Sequence, residues 1–428
     1  MADRAQGTRP RSDTSVRVVV TGMGMITPVG LSVSETWESA LAGKSGIAPI
    51  ERFDASEFPV QIAGEVKNFE PTRYVPRKEV RRMARCSMFA VAAAQEAMAD
   101  AGLSTPLPDP ERVGTVVGVG MGGIDWALEH TAKLWRQGLI GVSPFALAAS
   151  LPNMPSYHVS LLAGAQGPIT TPVAACATGS QAIGEAANLI RHGWADVVLA
   201  GGTEGLIIDV SIIGFAVMGA LSRRNDEPER ASRPFDKDRD GFVLAEGAGV
   251  LILERLEHAL ERDAHIYGEV LGYASSSDAY HIAQPDPEAR GVCRAIQWAL
   301  QDAGVAPEDV DYVNAHGTST QLNDAVETFA LKKVFGDHAY KLAISSNKSV
   351  FGHTLGAAGA VETILTFKMF EEGIILPTLN LDEPDPDCDL DYVPWKPRSM
   401  QAHIALKNAF GFGGQNACLV LSRWNGAT

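Results

Sequence analysis

The chain has 428 residues, of which 46% are hydrophobic and 20% charged, with 42 glycines and a net charge of −15. That length allows two or three domains, or one duplicated fold around a large core. The acidic balance excludes non-specific nucleic-acid binding, so an acidic partner can dock only through a local basic patch.

Five cysteines, Cys86, Cys176, Cys293, Cys388 and Cys418, form no Cys-x-x-Cys pair. Their odd number suggests neither a disulfide framework nor a zinc site, and free thiols point to a reducing compartment. No apolar run reaches the length of a membrane span. Residues 1–15 are polar and lack the apolar core of a secretory signal, which predicts a disordered tail on a cytoplasmic protein.

Val16 to Thr21 reads as a strand closed by a Gly22-Met23-Gly24 turn. The third glycine of a dinucleotide fingerprint is missing, and Pro28 and Gly30 interrupt the helix that should follow. Ser34 to Ala42 is a short helix, with Ser34 as cap and Gly43 as stop. Arg77 opens a long helix running to about Ala101. Its front end carries Lys78, Arg81 and Arg82, which make either a solvated face or a landing site for an anionic partner.

Val113 to Val119 is a continuous apolar strand, as in a sheet covered on both faces. It ends in a glycine-rich turn, Gly118 to Gly123. Thr170-Thr171-Pro172-Val173 then leads to Ala174-Ala175-Cys176. The helix that follows, to about Gly193, is apolar nearly all round and so buried. A thiol at a helix start meets unpaired N–H groups and the positive dipole end, which lower its pKa and favour a nucleophile. A buried cysteine also serves as a small core hydrophobe.

Ala195 to Ala200 and Val250 to Leu253 are further buried strands, separated by a polar loop, Arg233 to Phe242. Leu256 to Arg262 is a helix. From His265 the order restarts: strand Ile266 to Tyr273, helix Gly291 to Ala303, strand Val310 to Ala315. Strand Ala343 to Ser346 precedes a small-residue helix, Leu355 to Phe370, which mirrors the helix behind Cys176. Ile404 to Asn408 and Ala417 to Leu421 close the chain. Two halves, 16–260 and 261–428, each alternating strand and helix, predict a duplicated α/β fold.

Cys176, His316, Lys348 and His353 stand at strand ends or buried-helix starts, where α/β sheets gather ligands. Four segments carry a resemblance: Ala174-Ala175-Cys176-Ala177-Thr178-Gly179, Asn314-Ala315-His316-Gly317-Thr318-Ser319-Thr320, Asn347-Lys348-Ser349-Val350-Phe351-Gly352-His353 and Gly411-Phe412-Gly413-Gly414. They resemble the four blocks of the β-ketoacyl-acyl-carrier-protein synthases, over about Val18 to Leu421, and within that family the elongating type II enzymes. The resemblance implies a thiolase-like duplicated fold layered α-β-α-β-α, a homodimer, an acyl carrier protein as partner, no dissociable cofactor, and decarboxylative Claisen condensation.

It also implies roles. Cys176 is the nucleophile, the N–H groups of Cys176 and Phe412 hold the oxyanion, and His316 and His353 hold the enolate oxygen. Lys348 belongs to the site, as electrostatic support for His353 or as architecture, with Glu362 as its buried acidic partner. Thr318 and Thr320 match contacts to the pantetheine arm, Met121 and Phe215 the acyl tunnel, and Phe412 its gate. Lys78, Arg81 and Arg82 match the carrier-docking patch.

The chain departs from the common pattern at Ala174, at Gln321 where proline is frequent, at Val350-Phe351, and at Gly219 where many relatives carry a basic residue. The alternatives are a type II polyketide ketosynthase and its silent chain-length-factor partner, which lacks the cysteine. An initiating synthase has asparagine where His353 stands.

Overall fold

Valine- and isoleucine-rich segments form ten strands of one mixed sheet in a computed structural model that describes residues 16–426. The tail predicted at 1–15 lies outside the described residues. The strands are β1 (Val18–Ile26), β2 (Val113–Val119), β3 (Ile169–Thr170), β4 (Val197–Glu204), β5 (Gly247–Arg255), β6 (Gly268–Ser277), β7 (Tyr312–Asn314), β8 (Ala343–Ser345), β9 (Ile404–Gly411) and β10 (Gln415–Arg423). The helices used below are α1 (Val33–Leu41), α2 (Arg85–Asp100), α3 (Ile124–Gln137), α4 (Met154–Ala163), α5 (Thr178–Arg191), α6 (Asp209–Val217), α7 (Arg290–Ala303), α8 (Gln321–Phe335) and α9 (Ala358–Glu372).

The strand order is β8-β7-β9-β10-β6-β1-β5-β4-β2-β3. Each half therefore repeats one order from its outer edge inward: third, second, fourth, fifth, first. The strand directions repeat too, with parallel pairing among the outer three and antiparallel pairing further in. Within the sheet the halves join where Val19 pairs with Glu269 and Val20 with Gly268. Beyond them β1 turns away from β6, and its N–H groups go to carboxylates on α2. Met23 N donates to Asp100 and Met25 N to Glu96, each at 2.8 Å.

This parting makes room for a middle layer. Helices α5 and α9 pack against each other and touch strands of both halves, while α2 and α4 cover one outer face and α7, flanked by α8, the other. The fold is the thiolase-like α-β-α-β-α arrangement. Among the described residues no helix is long and apolar enough to cross a membrane.

Several local expectations are corrected. Gly22 and Gly24 are not a turn; β1 runs through them to Ile26. They are small because α2 lies directly against the strand: a Cβ on Gly24 would sit 2.1 Å from the Ala93 carbonyl oxygen, and one on Gly22 2.3 Å from that of Ala97. Helix α1 is capped by Ser32, whose side chain accepts from Glu35 N, rather than by Ser34. Strand β4 continues through Gly201 and Gly202 to Glu204.

The long helix from Arg77 is two pieces, a single turn at Arg77–Val80 and then α2. The break lets Met83 bury beside Val75 and Val91, and lets Arg85 reach Glu246 at 2.7 Å. The polar loop at 233–242 is largely buried, its ions paired: Arg233 with Asp236 inside the loop at 2.9 Å, and Arg239 with Asp385 of the second half at 2.6 Å.

Gly24→Ala is expected to destabilise the protein by about 1–3 kcal/mol through overpacking at the β1–α2 contact. Thermal or denaturant unfolding of the variant checks this, and an unchanged midpoint would contradict it.

Candidate active site

The site begins with the two inner helices. Each is entered through a 3₁₀ turn, Ala175–Ala177 before α5 and Leu355–Ala357 before α9. Each turn opens on a residue in the left-handed region, Ala175 at φ 48° and Leu355 at φ 46°. Strain of this kind persists only where the surroundings impose it. Here a seam of glycines imposes it. A Cβ on Gly179 would meet Ala360 N at 2.6 Å, one on Gly359 would meet Ser180 N at 2.3 Å, and one on Gly202 would meet the Gly356 oxygen at 2.2 Å. The two helix starts thus face each other, one carrying Cys176 and the other following directly on His353.

The remaining groups arrive from strand ends of the second half. His316 follows β7, Lys348 and His353 follow β8, and Phe412 lies in the turn from β9 to β10. A cavity of about 480 Å³ is lined by Cys176, His316, His353, Thr318, Thr320 and Phe412, among others. The two imidazole rings lie edge to face with centroids 5.5 Å apart. His353 is clamped by its backbone: its N donates to the Val243 oxygen at 2.8 Å, and its oxygen accepts from Ala245 N at 2.9 Å.

The electrostatics differ from the expectation for a helix start. Burial pushes the Cys176 thiol up to about 12, and Lys348 with the N–H groups of Phe412 and Cys176 itself pulls it back only in part. The same two N–H groups converge on the sulfur, where an oxyanion next to it would lie. Both imidazoles are held well below the usual histidine range, first by burial and then by the Lys348 ammonium, with Lys407 contributing. They are therefore neutral at physiological pH.

The tautomer of neutral His353 follows from its neighbour. Its Nδ1 accepts from Leu355 N at 3.3 Å, so Nε2 carries the proton, and that Nε2 has no partner. His353 is a preset donor. His316 has an unpartnered Nδ1.

Lys348 is fully buried and does not line the cavity. Its Nζ donates to the His316 carbonyl oxygen at 2.6 Å and to Glu362 at 2.5 Å. Thr320 caps α8 by accepting from Asn323 N at 3.3 Å, and its hydroxyl lies 3.0 Å from that of Thr318. Phe215 lies beside Phe412, centroids 6.2 Å apart, and against Phe242. Met121 is 49% exposed and stands outside the cavity lining. Lys78, Arg81 and Arg82 are exposed, with the Arg82 guanidinium 4.7 Å from the centre of the Phe145 ring.

Other residues at the site were not anticipated. Glu327 accepts from His316 N at 2.9 Å and Gly317 N at 2.8 Å. Asp324, three residues earlier on the same helix, accepts from Thr318 N at 3.0 Å. That carboxylate spacing directly after the His316 block was the available signal. Glu204 is fully buried and accepts from Gly120 N at 2.9 Å and Gly356 N at 3.1 Å; burial raises it to about 8. Lys407 is a lysine inside an apolar strand, itself a signal.

One thiol, two neutral imidazoles and a convergent pair of backbone N–H groups share a cavity on a thiolase-like fold, an arrangement suited to acyl transfer. The chain belongs to the β-ketoacyl synthase family. The family's N-terminal domain matches residues 15–259 and its C-terminal domain residues 267–382. It is 49% identical over 407 residues to a 3-oxoacyl-[acyl-carrier-protein] synthase 2 of Coxiella burnetii, covering 95% of this chain and 98% of that one. A protein of the same description from Synechocystis is 48% identical over 408 residues, with the same two shares. Among solved structures, a β-ketoacyl synthase from Burkholderia phymatum superposes with a TM-score of 0.90 at 38% identity, covering 96% of this chain and all of that one. A type II polyketide ketosynthase in complex with its acyl-carrier protein gives 0.89 at 35% identity, covering 97% and 100%.

Because Cys176 rests as a thiol, its alkylation by a small uncharged reagent is expected to climb about tenfold per pH unit from neutral pH to about pH 10. Mass-spectrometric rates at Cys176 check this; a plateau below about pH 8 would contradict it.

Proposed function

We propose that this chain elongates fatty acyl groups as a 3-oxoacyl-[acyl-carrier-protein] synthase, with Cys176, His316 and His353 as the reacting site. The shared cavity of those three side chains is the observation that carries the reading. The relatives named for this activity share more identity with the chain than the polyketide structure does. The intact thiol and both histidines set it apart from a silent partner subunit.

The Cys176 sulfur attacks an acyl thioester carbonyl. The carrier thiol leaves with the proton and an acyl-enzyme remains. The N–H groups of Cys176 and Phe412 stabilise the tetrahedral oxyanion, and one such donor contributes about 3 kcal/mol. His316, whose orientation leaves a ring nitrogen unpaired, serves as acceptor for the thiol proton.

Malonyl-carrier then enters. Its carbon–carbon bond to the carboxylate breaks, carbon dioxide leaves, and the electron pair moves onto the thioester oxygen as an enolate. The Nε2–H of His353 donates to that oxygen, and His316 supports it. A neutral donor suits this step better than an imidazolium, which would protonate the enolate before it reacts. The enolate carbon attacks the acyl-enzyme, the new carbon–carbon bond forms, and the Cys176 sulfur is expelled with release of the 3-oxoacyl product.

Thr318 and Thr320 at the cavity mouth offer hydroxyls to the pantetheine arm. Phe412, flanked by Gly411 and Gly413, gates the acyl pocket, since glycine neighbours permit the ring to swing. Phe215, packed beside Phe412, lines the acyl path beyond it. Lys78, Arg81 and Arg82 steer the acidic carrier protein.

The chain works as a homodimer in the cytoplasm, and its halves, 16–260 and 261–428, form one duplicated unit. Support for the dimer comes from exposed apolar residues, including Leu139, Ile140 and Leu147 after α3 and Ile169 on edge strand β3. Large apolar side chains left in solvent on one chain are covered when two copies associate.

Cys176→Ala is expected to abolish acyl-enzyme formation, read as loss of the acyl mass increment; persistent labelling would overturn the nucleophile assignment. His353→Ala should cut carbon dioxide release from malonyl-carrier by about 100-fold or more, and an unchanged release would remove its role. Reversing the charges at Lys78, Arg81 and Arg82 should raise KM for carrier substrates and spare small thioesters. An equal effect on both would dismiss the patch.

A further inference from the structure

Lys407 is a buried cation that the mechanism above does not use. It lies on β9 with no exposed surface, in a strand whose other side chains, Asn408 apart, are apolar. A lysine is almost never fully buried unless paired. Its Nζ lies 2.8 Å from Glu362 Oε2 and donates to the Asn408 carbonyl oxygen. The other oxygen of Glu362, Oε1, is held by Lys348. One carboxylate therefore bridges two ammonium groups.

The network continues past Lys407. The Asn408 side chain donates to Glu327 at 3.0 Å, and Glu327 accepts the backbone N–H groups of His316 and Gly317. Lys348, at the other end, donates to the carbonyl oxygen of His316. The polar backbone groups of His316 are thus fixed from both ends of one buried circuit: Lys348, Glu362, Lys407, Asn408, Glu327. Two lysines balance two glutamates within it. A buried ion pair that loses one member leaves an uncompensated charge, so the remaining partners must move or change protonation.

We propose that Lys407 is a positioning residue for the condensation: it closes this circuit beneath the two imidazoles, holding Glu362 and Lys348 in place under His316. The inference rests on the function proposed above. The charged and titratable groups acting on His316 are Lys348, Lys407 and His353, and those acting on His353 are Lys348 and Lys407. Burial disfavours the cationic form of both rings first, and the lysines add to it. Removing the Lys407 charge therefore moves imidazole protonation to higher pH.

The test is Lys407→Met, which keeps length and removes charge, with Lys407→Gln, which retains a donor, as the second variant should Met prevent folding. Complete condensation is followed across pH with acyl-carrier and malonyl-carrier, beside the unsubstituted enzyme. The expected result is a kcat lower by about 10- to 100-fold with little change in KM, as for a displaced active-site group. The acid limb of kcat is expected to move to higher pH, because one of the charges that disfavour the imidazolium is gone. A folded variant with the parent kcat and an unmoved acid limb would overturn the proposal, whatever its melting temperature. Failure of the unsubstituted enzyme to condense these substrates would instead defeat the underlying function, which keeps the two claims separable.

Discussion

The close approach of two helix starts is the constraint on which the molecule depends. Gly179 and Gly359 lie where any side chain would strike backbone across the seam between α5 and α9, and Gly202 and Gly356 let the start of α9 close onto strand β4 and the Gly120 backbone. Their absence of Cβ atoms lets the first half present Cys176 to the histidines of the second. The same contact twists Ala175 and Leu355 into the left-handed region, so local strain is offset by burial of both helices. Neither half alone contains the site: the thiol comes from one, and the imidazoles, the buried lysines and the Phe412 turn come from the other.

Burial, more than nearby charge, sets the chemistry of that seam. It raises the thiol and lowers both imidazoles, so each group rests in its neutral form. Neutral rings suit a reaction that makes an enolate and must not quench it. The lysines beneath reinforce this state, and Glu362 keeps their charge from being left uncompensated. Desolvation of a fully buried sulfur outweighs the two N–H groups that reach it.

The sequence made the site unusually legible because its chemistry sits in contiguous blocks. Cys176, His316, His353 and Phe412 each lie beside glycine or alanine at a strand end or helix start, and the element order alone announced the duplication. What escaped was whatever depends on contacts between distant segments. Gly22 and Gly24 read as a turn because their real reason, the backbone of α2, lies some seventy residues further along the chain. The break before Arg85 follows from Glu246 and the Met83 pocket, which no local pattern reveals. The partner of Lys407 is likewise invisible locally, because a strand pattern shows where a lysine is and not which carboxylate awaits it.

The rate of 3-oxoacyl product formation by Gly179→Ala tests the seam most directly, in protein whose circular dichroism matches the parent. A Cβ there presses on Ala360 N and moves Cys176 away from the histidines. The account predicts a loss of about 100-fold or more, the usual consequence of misplacing a reacting group by about an ångström. A parent-like rate would contradict it.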